Sequence, residues 1–380
     1  RIAFKASITP EQREKVWQDY LILFQDILRG VVSKYGDPVA YWPSSPGTDF
    51  EKDDDPGYGD MHYWTVWHAL APIEDYTKQF PRFMSEYGFQ SFPEMRTIAS
   101  FAQPEDEYID STVMLSHQKN HGGNERILTY MLRQYPEPKD FASFVYLSQV
   151  LQAEAIKVGA EHLRRNQPRI MGSFYWQLND CWPVASWASI DYFGRWKALQ
   201  YYAKRFYDDV IVSPFRHDGS VDVYVISDKL QPVAGQVRLR LLDFSGKVLT
   251  EKTQDVEVAA QTSRSVVSLN EKDLLANTDP QKVFLVVDLL VAGQPVSRNE
   301  VFFGSMRRLE LPAEPQIQST VAGTAADVTI TLQSAALARD VYLSFGDLDV
   351  QLSDNYFDLV PGETVTVHLK TSATPDQVRS

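Results

Sequence analysis

The chain has 380 residues, 44% of them hydrophobic, and a formal net charge of −13. Its length favours two or three domains, and its apolar content argues against a globally disordered polymer. An acidic surface repels phosphate, so this composition argues against nucleic acid and anionic membranes as partners.

The first predicted element is an amphipathic helix that begins after Thr9. Thr9 is a helix cap, Pro10 suits the first turn and Gln12 completes a capping box. The apolar residues from Trp17 to Val31 recur every three or four positions, which predicts a buried face. The apolar segment 38–42 that follows predicts a short buried strand.

Three further strand patterns alternate with two helical patterns. In chain order these are the strands 61–64 and 82–86, the helices 124–134 and 141–165, and the strand 170–178. Alternating strands and helices predict parallel βα units, and four such strands make half of an eight-stranded barrel. We therefore expect residues 1–207 to be the C-terminal half of a (β/α)8 TIM barrel. A half barrel leaves open edges, so the rest of the barrel is expected upstream of Arg1.

The hydrophobic period changes after residue 207. Segments such as 221–226 and 236–241 alternate apolar and other residues, which predicts strands with one buried face. About seven short strands predict an immunoglobulin-like β-sandwich at 208–310. A proline-containing linker at 311–315 then leads to more strand patterns, so we expect a smaller β-sandwich at 311–380.

The segment Pro81–Ser91 carries the clearest chemical signal, because its predicted strand ends in the carboxylate of Glu86. The C-terminal ends of strands line the active site of a βα barrel. Cleavage of a glycosidic bond with retention needs one carboxylate as nucleophile and a second as acid/base. A plain hydrogen bond from Glu86 to a loop is the alternative. Arg82 lies about 13 Å away along an extended strand, so the group that keeps Glu86 ionised must come from another strand.

Several motifs resemble the β-mannosidases of glycoside hydrolase family 2, and together they cover nearly the whole chain in the right order. The segment Arg82–Ser91 resembles the nucleophile strand of that family, and Gly172–Asp180 resembles its last barrel strand. The other matching segments are 59–64, 117–124, 186–191 and 353–363. The resemblance implies the fold and the glycosidase activity of that family.

The resemblance also implies roles for individual residues. Glu86 is the nucleophile that forms the glycosyl-enzyme intermediate, and Trp176 is the aromatic platform beneath the sugar. An indole face suits a pyranose because the axial C–H bonds of the ring form an apolar patch. An aromatic residue of the barrel core is the alternative for Trp176. His62 and Trp64 are expected to border the same pocket, where His62 hydrogen-bonds a sugar hydroxyl or Glu86, or packs as a structural histidine.

Three polar residues beyond the platform, Gln177, Asn179 and Asp180, are expected to support the site or to bind sugar hydroxyls. The acid/base glutamate of the family follows an asparagine, and no segment before Glu86 matches that pattern. The resemblance therefore implies that the acid/base lies upstream of Arg1. The chain by itself is then expected to be inactive.

These expectations describe a retaining exo-β-mannosidase that removes terminal β-D-mannose by double displacement. Its expected partners are β-mannoside oligosaccharides and the remainder of the same polypeptide. A family 2 β-galactosidase, β-glucosidase or exo-glucosaminidase is the first alternative, because part of the hydroxyl-reading site lies upstream. A non-catalytic carbohydrate-binding or structural fragment is the alternative of a different class.

We expect no metal site and no cofactor. The acidic run Glu51–Gly57 lacks the spacing and the final glutamate of an EF-hand, and His117 and His121 lack the glutamate of a zinc-protease motif. Cys181 is the single cysteine, so no disulfide forms within the chain. The compartment stays open, with a periplasmic, extracellular or lysosomal location favoured over a nuclear one.

Overall fold

The computed structural model describes residues 9–36, 41–47, 55–324, 327–348 and 350–379. Up to residue 207 the described chain is mainly helical, with two short strands. In chain order its elements are α1 (Pro10–Leu21), α2 (Leu28–Tyr35), β1 (Met61–Tyr63), α3 (Thr65–Ala69), β2 (Met84–Tyr87), α4 (Met95–Ile98), α5 (Thr112–Ser116), α6 (Gly123–Gln134), α7 (Phe141–Arg165) and α8 (Ala198–Phe206). A π-helical turn at Ile22–Ile27 joins α1 to α2, and 3-10 turns lie at Ile73–Lys78 and Pro104–Asp106.

The start of α1 confirms the predicted capping box. The Gln12 backbone N–H donates to Thr9 Oγ1, and the Thr9 N–H donates to Gln12 Oε1. The predicted buried face is wrong, because Ile27 is 52% exposed and Val31 is 48% exposed. Periodicity identifies an apolar face but not the surface that covers it, and the described part of the chain buries no residue of α1 or α2.

Two of the four predicted barrel strands are confirmed, as β1 and β2. They pair in parallel, with His62 opposite Glu86 and Tyr63 opposite Tyr87. The predicted strand 38–42 lies partly outside the described residues, and its described end, at Tyr41, is not in a strand. The described residues therefore hold a two-stranded parallel sheet, and the half barrel stays a prediction.

The segment 170–178 runs beside β2 on the side away from β1, but the prediction of a regular strand there is wrong. Its backbone bonds to β2 join Met171 to Arg82, Phe174 to Met84 and Trp176 to Tyr87. The offset between the partners changes from one bond to the next, so the two backbones do not stay in register. A continuous ladder requires a constant register.

Helices α6 and α7 match their predicted positions, and α7 supports the chain that follows β2. The Gln152 amide of α7 donates to the Phe89 carbonyl and accepts from the Ser91 hydroxyl. Gly159 of α7 lies so close to the ring of Tyr87 that a Cβ there would be 2.9 Å from a ring carbon. Helix α7 thus fixes the position of β2 and of the turn after it.

The predicted immunoglobulin-like sandwich is confirmed. Its elements are β3 (Val210–His217), β4 (Ser220–Ser227), β5 (Val233–Asp243), β6 (Val248–Val258), β7 (Thr262–Asn270), α9 (Glu271–Leu274), β8 (Val283–Val291) and β9 (Gln294–Phe302). The strands form two antiparallel sheets, in the orders β3-β4-β7 and β6-β5-β8-β9. The alternating apolar residues of β4 and β5, such as Val223 and Leu239, are buried between the sheets.

The last unit is a smaller β-structure joined to the helical part. Its elements are β10 (Gln318–Thr324), β11 (Asp327–Gln333), β12 (Ala338–Val341), β13 (Gln351–Leu352), β14 (Phe357–Leu359), β15 (Val365–Lys370) and α10 (Pro375–Arg379). The sheets have the orders β10-β11-β15-β13 and β12-β14. Tyr356 stacks on Tyr146 of α7, and Arg339 contacts Glu154 of the same helix, so aromatic and ionic contacts hold the units together. No helix in the described ranges is both long and apolar enough to cross a membrane.

Candidate active site

Glu86 lies near the C-terminal end of β2, and its side chain is 24% exposed. The Nδ1 atom of His62 is 3.2 Å from Glu86 Oε2, and the indole N–H of Trp64 donates to the same oxygen at 3.1 Å. Both groups come from β1 or the residue just after it, so the contacts to Glu86 come from the neighbouring strand and not from Arg82. The side chains of His62, Trp64 and Glu86 form one cluster.

Trp176 lies at the same end of β2. Its backbone N–H donates to the carbonyl of Tyr87 at 2.8 Å. Gly88 lies between the two tryptophans, because a Cβ there would be 2.5 Å from the Trp176 carbonyl and 2.9 Å from a ring carbon of Trp64. Trp176 is 43% exposed, so it is open to a ligand. The close approach at Gly88 requires glycine and brings the indole of Trp64 and the backbone of Trp176 to the turn after the carboxylate.

The three polar residues beyond Trp176 occupy different environments. Asn179 is exposed, whereas the side chain of Asp180 is 1% exposed and pairs with Lys119 at 3.0 Å. The Ser186 hydroxyl and the Gln177 amide also donate to the Asp180 carboxylate. Asp180 and Gln177 therefore hold the shape of this segment, while Asn179 faces solvent.

A buried lysine joins the loops on either side of this segment. Lys197 Nζ donates to the carbonyls of Ser91 and Ser186 at 3.3 and 3.4 Å. Burial lowers the pKa of Lys197 to about 8, although Asp180 and Asp191 oppose this shift. The contacts of Lys197 tie the loop after β2 to the loop after Trp176.

Two residues of the site were not singled out from the sequence, Asp60 and Ser45. The Ser45 hydroxyl donates to Asp60 Oδ2 at 2.5 Å and lies 3.1 Å from Nε2 of His62. The hydroxyl of Ser85, next to Glu86, donates to the same Asp60 oxygen, and the Gly47 N–H donates to Oδ1. Asp60 belongs to a segment that matched the family motif, so that match was a usable signal. Ser45 comes from a loop with no motif, and only the folded chain brings it near.

The electrostatic state of Asp60 follows from its surroundings. Burial opposes its ionisation, but hydrogen bonds from Ser45, Ser85, the Gly47 N–H and the Trp42 indole lower the pKa of its carboxyl below the usual value. Asp60 is thus an ionised acceptor directly beside the strand that carries His62.

Two segments were weighed as metal sites from the sequence, the acidic run 51–57 and the histidine pair His117 and His121. The acidic run 51–57 lies largely outside the described residues. His117 stacks on Phe101 at 3.8 Å, and its Nδ1 lies 2.7 Å from the Pro183 carbonyl, so it is a packed structural residue. Among the residues that the structure describes, no group of three or more His, Cys, Asp or Glu side chains is arranged to hold a metal ion.

Family models match both β-domains. Residues 219–307 match a model described as a mannosidase Ig/CBM-like domain, and residues 313–380 match an Ig-fold domain model of mannosidases. The chain is also similar to β-mannosidase B of Aspergillus niger, with 30% identity over 91% of this chain and 43% of that enzyme. β-Mannosidase B of Aspergillus terreus is 32% identical over 93% of this chain and 44% of its own length.

Two solved structures are similar to this chain in fold. The β-D-mannosidase of Dictyoglomus thermophilum has a TM-score of 0.85 and 30% identity, covering 94% of this chain and 44% of that one. An exo-chitosanase of Amycolatopsis orientalis has a TM-score of 0.67 and 18% identity, covering 85% of this chain and 44% of that one, which shows a shared fold. Over more than nine-tenths of its length the chain is thus similar to a β-D-mannosidase in both sequence and fold.

The relatives that match more than nine-tenths of this chain are β-mannosidases, and the chain is a homologue of those enzymes. The predicted resemblance to family 2 β-mannosidases is therefore confirmed. The chain spans less than half the length of these relatives.

Proposed function

We propose that this chain forms the nucleophile side of a retaining exo-β-mannosidase site, with Glu86 as the nucleophile. The observation that carries the proposal is that two groups, the Trp64 indole N–H and the His62 ring, contact the same carboxylate oxygen. Within the described residues, His62 and Trp64 both contact Oε2. Oε1 is then the oxygen that attacks C1 of the sugar, while Oε2 accepts from the Trp64 N–H and lies against the His62 ring.

The reaction is a double displacement. Glu86 Oε1 forms a bond to the anomeric carbon as the bond to the glycosidic oxygen breaks, and an acid protonates that leaving oxygen. Water then attacks C1, the same acid acting as base takes a proton from it, and the Glu86 carboxylate leaves. We place the acid/base glutamate upstream of Arg1, and the exposed indole of Trp176 beneath the sugar.

The architecture proposed for this site is a barrel completed by the remainder of the same polypeptide. The parallel pairing of β1 with β2, with the segment 170–178 beside it, supports this proposal. Parallel strands in a barrel bring their C-terminal ends to one face, where active sites are built. The β-mannoside specificity rests on the homologues.

Covalent trapping tests the role of Glu86. The full-length protein is treated with a 2-deoxy-2-fluoro β-mannosyl fluoride, and the labelled peptide is identified by mass spectrometry. We expect the label on Glu86, loss of labelling in Glu86→Gln, and normal labelling in the exposed control Glu105→Gln. A label on any other carboxylate would refute the assignment.

Substrate comparison tests the sugar. Nitrophenyl β-mannoside, β-galactoside, β-glucoside and β-glucosaminide are compared at equal concentrations with the full-length protein. We expect the highest kcat/KM for the mannoside. Preference for the glucosaminide would favour an exo-glucosaminidase, and binding without hydrolysis of any of them would favour a carbohydrate-binding fragment.

A further inference from the structure

Four side chains form a continuous chain of contacts that ends at Glu86. Asp60 Oδ2 is 2.5 Å from the Ser45 hydroxyl, which is 3.1 Å from His62 Nε2. On the other side of the ring, His62 Nδ1 is 3.2 Å from Glu86 Oε2. The His62 side chain is 17% exposed, whereas Ser45 lies at the surface.

The donors and acceptors in this chain are determined by counting hydrogens. An ionised carboxylate such as Asp60 only accepts hydrogen bonds, and a serine hydroxyl has one hydrogen to donate. At 2.5 Å the contact between Ser45 and Asp60 is a short, charge-assisted bond, so the hydrogen of Ser45 points to Asp60. A lone pair of Ser45 then faces His62 Nε2, and this nitrogen must carry a hydrogen.

The other ring nitrogen faces Glu86. A nucleophile is a carboxylate, which also only accepts hydrogen bonds, so Nδ1 must carry a hydrogen as well. We propose that Asp60 and Ser45 are positioning residues that hold His62 with a hydrogen on both ring nitrogens, so that its Nδ1–H is directed at Oε2 of Glu86. The proposal rests on the nucleophile role of Glu86.

The arrangement has a consequence in each half of the reaction. In the first half, the His62 ring and the Trp64 indole hold Oε2 while Oε1 forms the bond to C1. In the intermediate, Glu86 is an ester whose carbonyl oxygen is Oε2, and the Nδ1–H stays directed at it. When water attacks C1, the C1–Oε1 bond breaks, its electron pair returns to the carboxylate, and the same N–H stabilises the charge that forms on it.

Asp60 also holds the nucleophile strand itself. It accepts a hydrogen bond from Ser85, the residue of β2 before Glu86. It also accepts one from Ser45, whose oxygen faces the His62 ring on β1. One carboxylate therefore sets both the position of the strand and the protonation of the histidine. Asp60→Asn separates these effects, because an amide is nearly the same size but is able to donate. In this variant the amide N–H₂ donates to the Ser45 hydroxyl. The Ser45 hydrogen then points to His62 Nε2, which accepts it, and the ring is neutral.

Nitrogen NMR measures this protonation directly. The ring ¹⁵N signals of His62 in the full-length protein are identified as those lost in His62→Gln. We expect both ring nitrogens of His62 to have protonated-type shifts in the wild type, and Nε2 to change to the unprotonated type in Asp60→Asn. An unprotonated Nε2 in the wild type would overturn the proposal, whether or not the protein hydrolyses a glycoside.

Kinetics provide the second measurement. At metal sites, mutating the hydrogen-bond partner of a ligand histidine lowers affinity or activity by about 10- to 100-fold. We expect kcat for nitrophenyl β-mannoside to fall by roughly that factor in Asp60→Asn and Ser45→Ala, with KM little changed. Ser45→Thr keeps the hydroxyl and should retain most of the rate, and Ser116→Ala is the exposed control. Unchanged kcat in both Asp60→Asn and Ser45→Ala would contradict the positioning role. If the wild type hydrolyses none of the glycosides, the proposed function fails while the NMR result stands by itself.

Discussion

Gly88→Ala is the most direct test of how closely the site is packed. A Cβ at this position would lie 2.5 Å from the carbonyl oxygen of Trp176 and 2.9 and 3.0 Å from two ring carbons of Trp64. Ordinary carbon contacts begin near 3.5 Å, so the Trp176 carbonyl or the turn after Glu86 must move by about 1 Å. The carbonyl is backbone and cannot rotate away as a flexible side chain does.

The expected magnitude follows from this displacement. Overpacking of this kind costs about 1–3 kcal/mol of folding free energy. The displaced ring of Trp64 carries the N–H that bonds Glu86 Oε2 at 3.1 Å, and a hydrogen bond is lost when this distance grows much beyond 3.5 Å. A misplacement of about 1 Å at a reacting group costs on the order of 100-fold in rate, so we expect that loss in kcat/KM.

The assay combines urea unfolding with hydrolysis of nitrophenyl β-mannoside by the full-length protein. Gly30→Ala is the matched control, because Gly30 is an exposed residue of α2 with no neighbour within 4 Å of the added Cβ. That change should leave the rate unaltered and stabilise the helix by about 0.5–1 kcal/mol. Wild-type stability and rate in Gly88→Ala would refute the close packing at the end of β2.

Three further predictions concern stability. Burial lowers the pKa of His162 to about 4 from its usual 6.5, so between these pH values the unfolded chain binds a proton that the folded chain does not bind. Stability should therefore fall by about 3 kcal/mol as the pH drops through this range, and His162→Gln should remove that slope from urea midpoints. Asp288→Asn should cost about 3–5 kcal/mol, because the fully buried Asp288 carboxylate is the shared ion-pair partner of Arg238, Arg240 and Arg298, and urea unfolding at neutral pH measures the loss. Arg339→Met should cost a similar 3–5 kcal/mol because the buried carboxylates of Asp340 and Asp358 lose their guanidinium partner, seen by calorimetry as earlier unfolding of the terminal β-unit.

The sequence by itself determined the elements whose information is local. The period of α7 and the alternation in β4 and β5 are properties of short segments, as is the capping box at Thr9, and all of them match the structure. The position of Glu86 at the end of a strand is also local. These features are readable because each residue needs only its near neighbours to produce the pattern.

Tertiary structure decided the contacts between distant segments. Ser45, Asp60 and His62 come together beside Glu86 only because β1 and β2 pair with His62 opposite Glu86, after a register shift between Met61 and His62. The same limit explains the incorrect prediction for α1, where an apolar face is present but the described chain buries none of its residues. A pattern specifies which side of an element is apolar, whereas its partners depend on the packing of the whole chain.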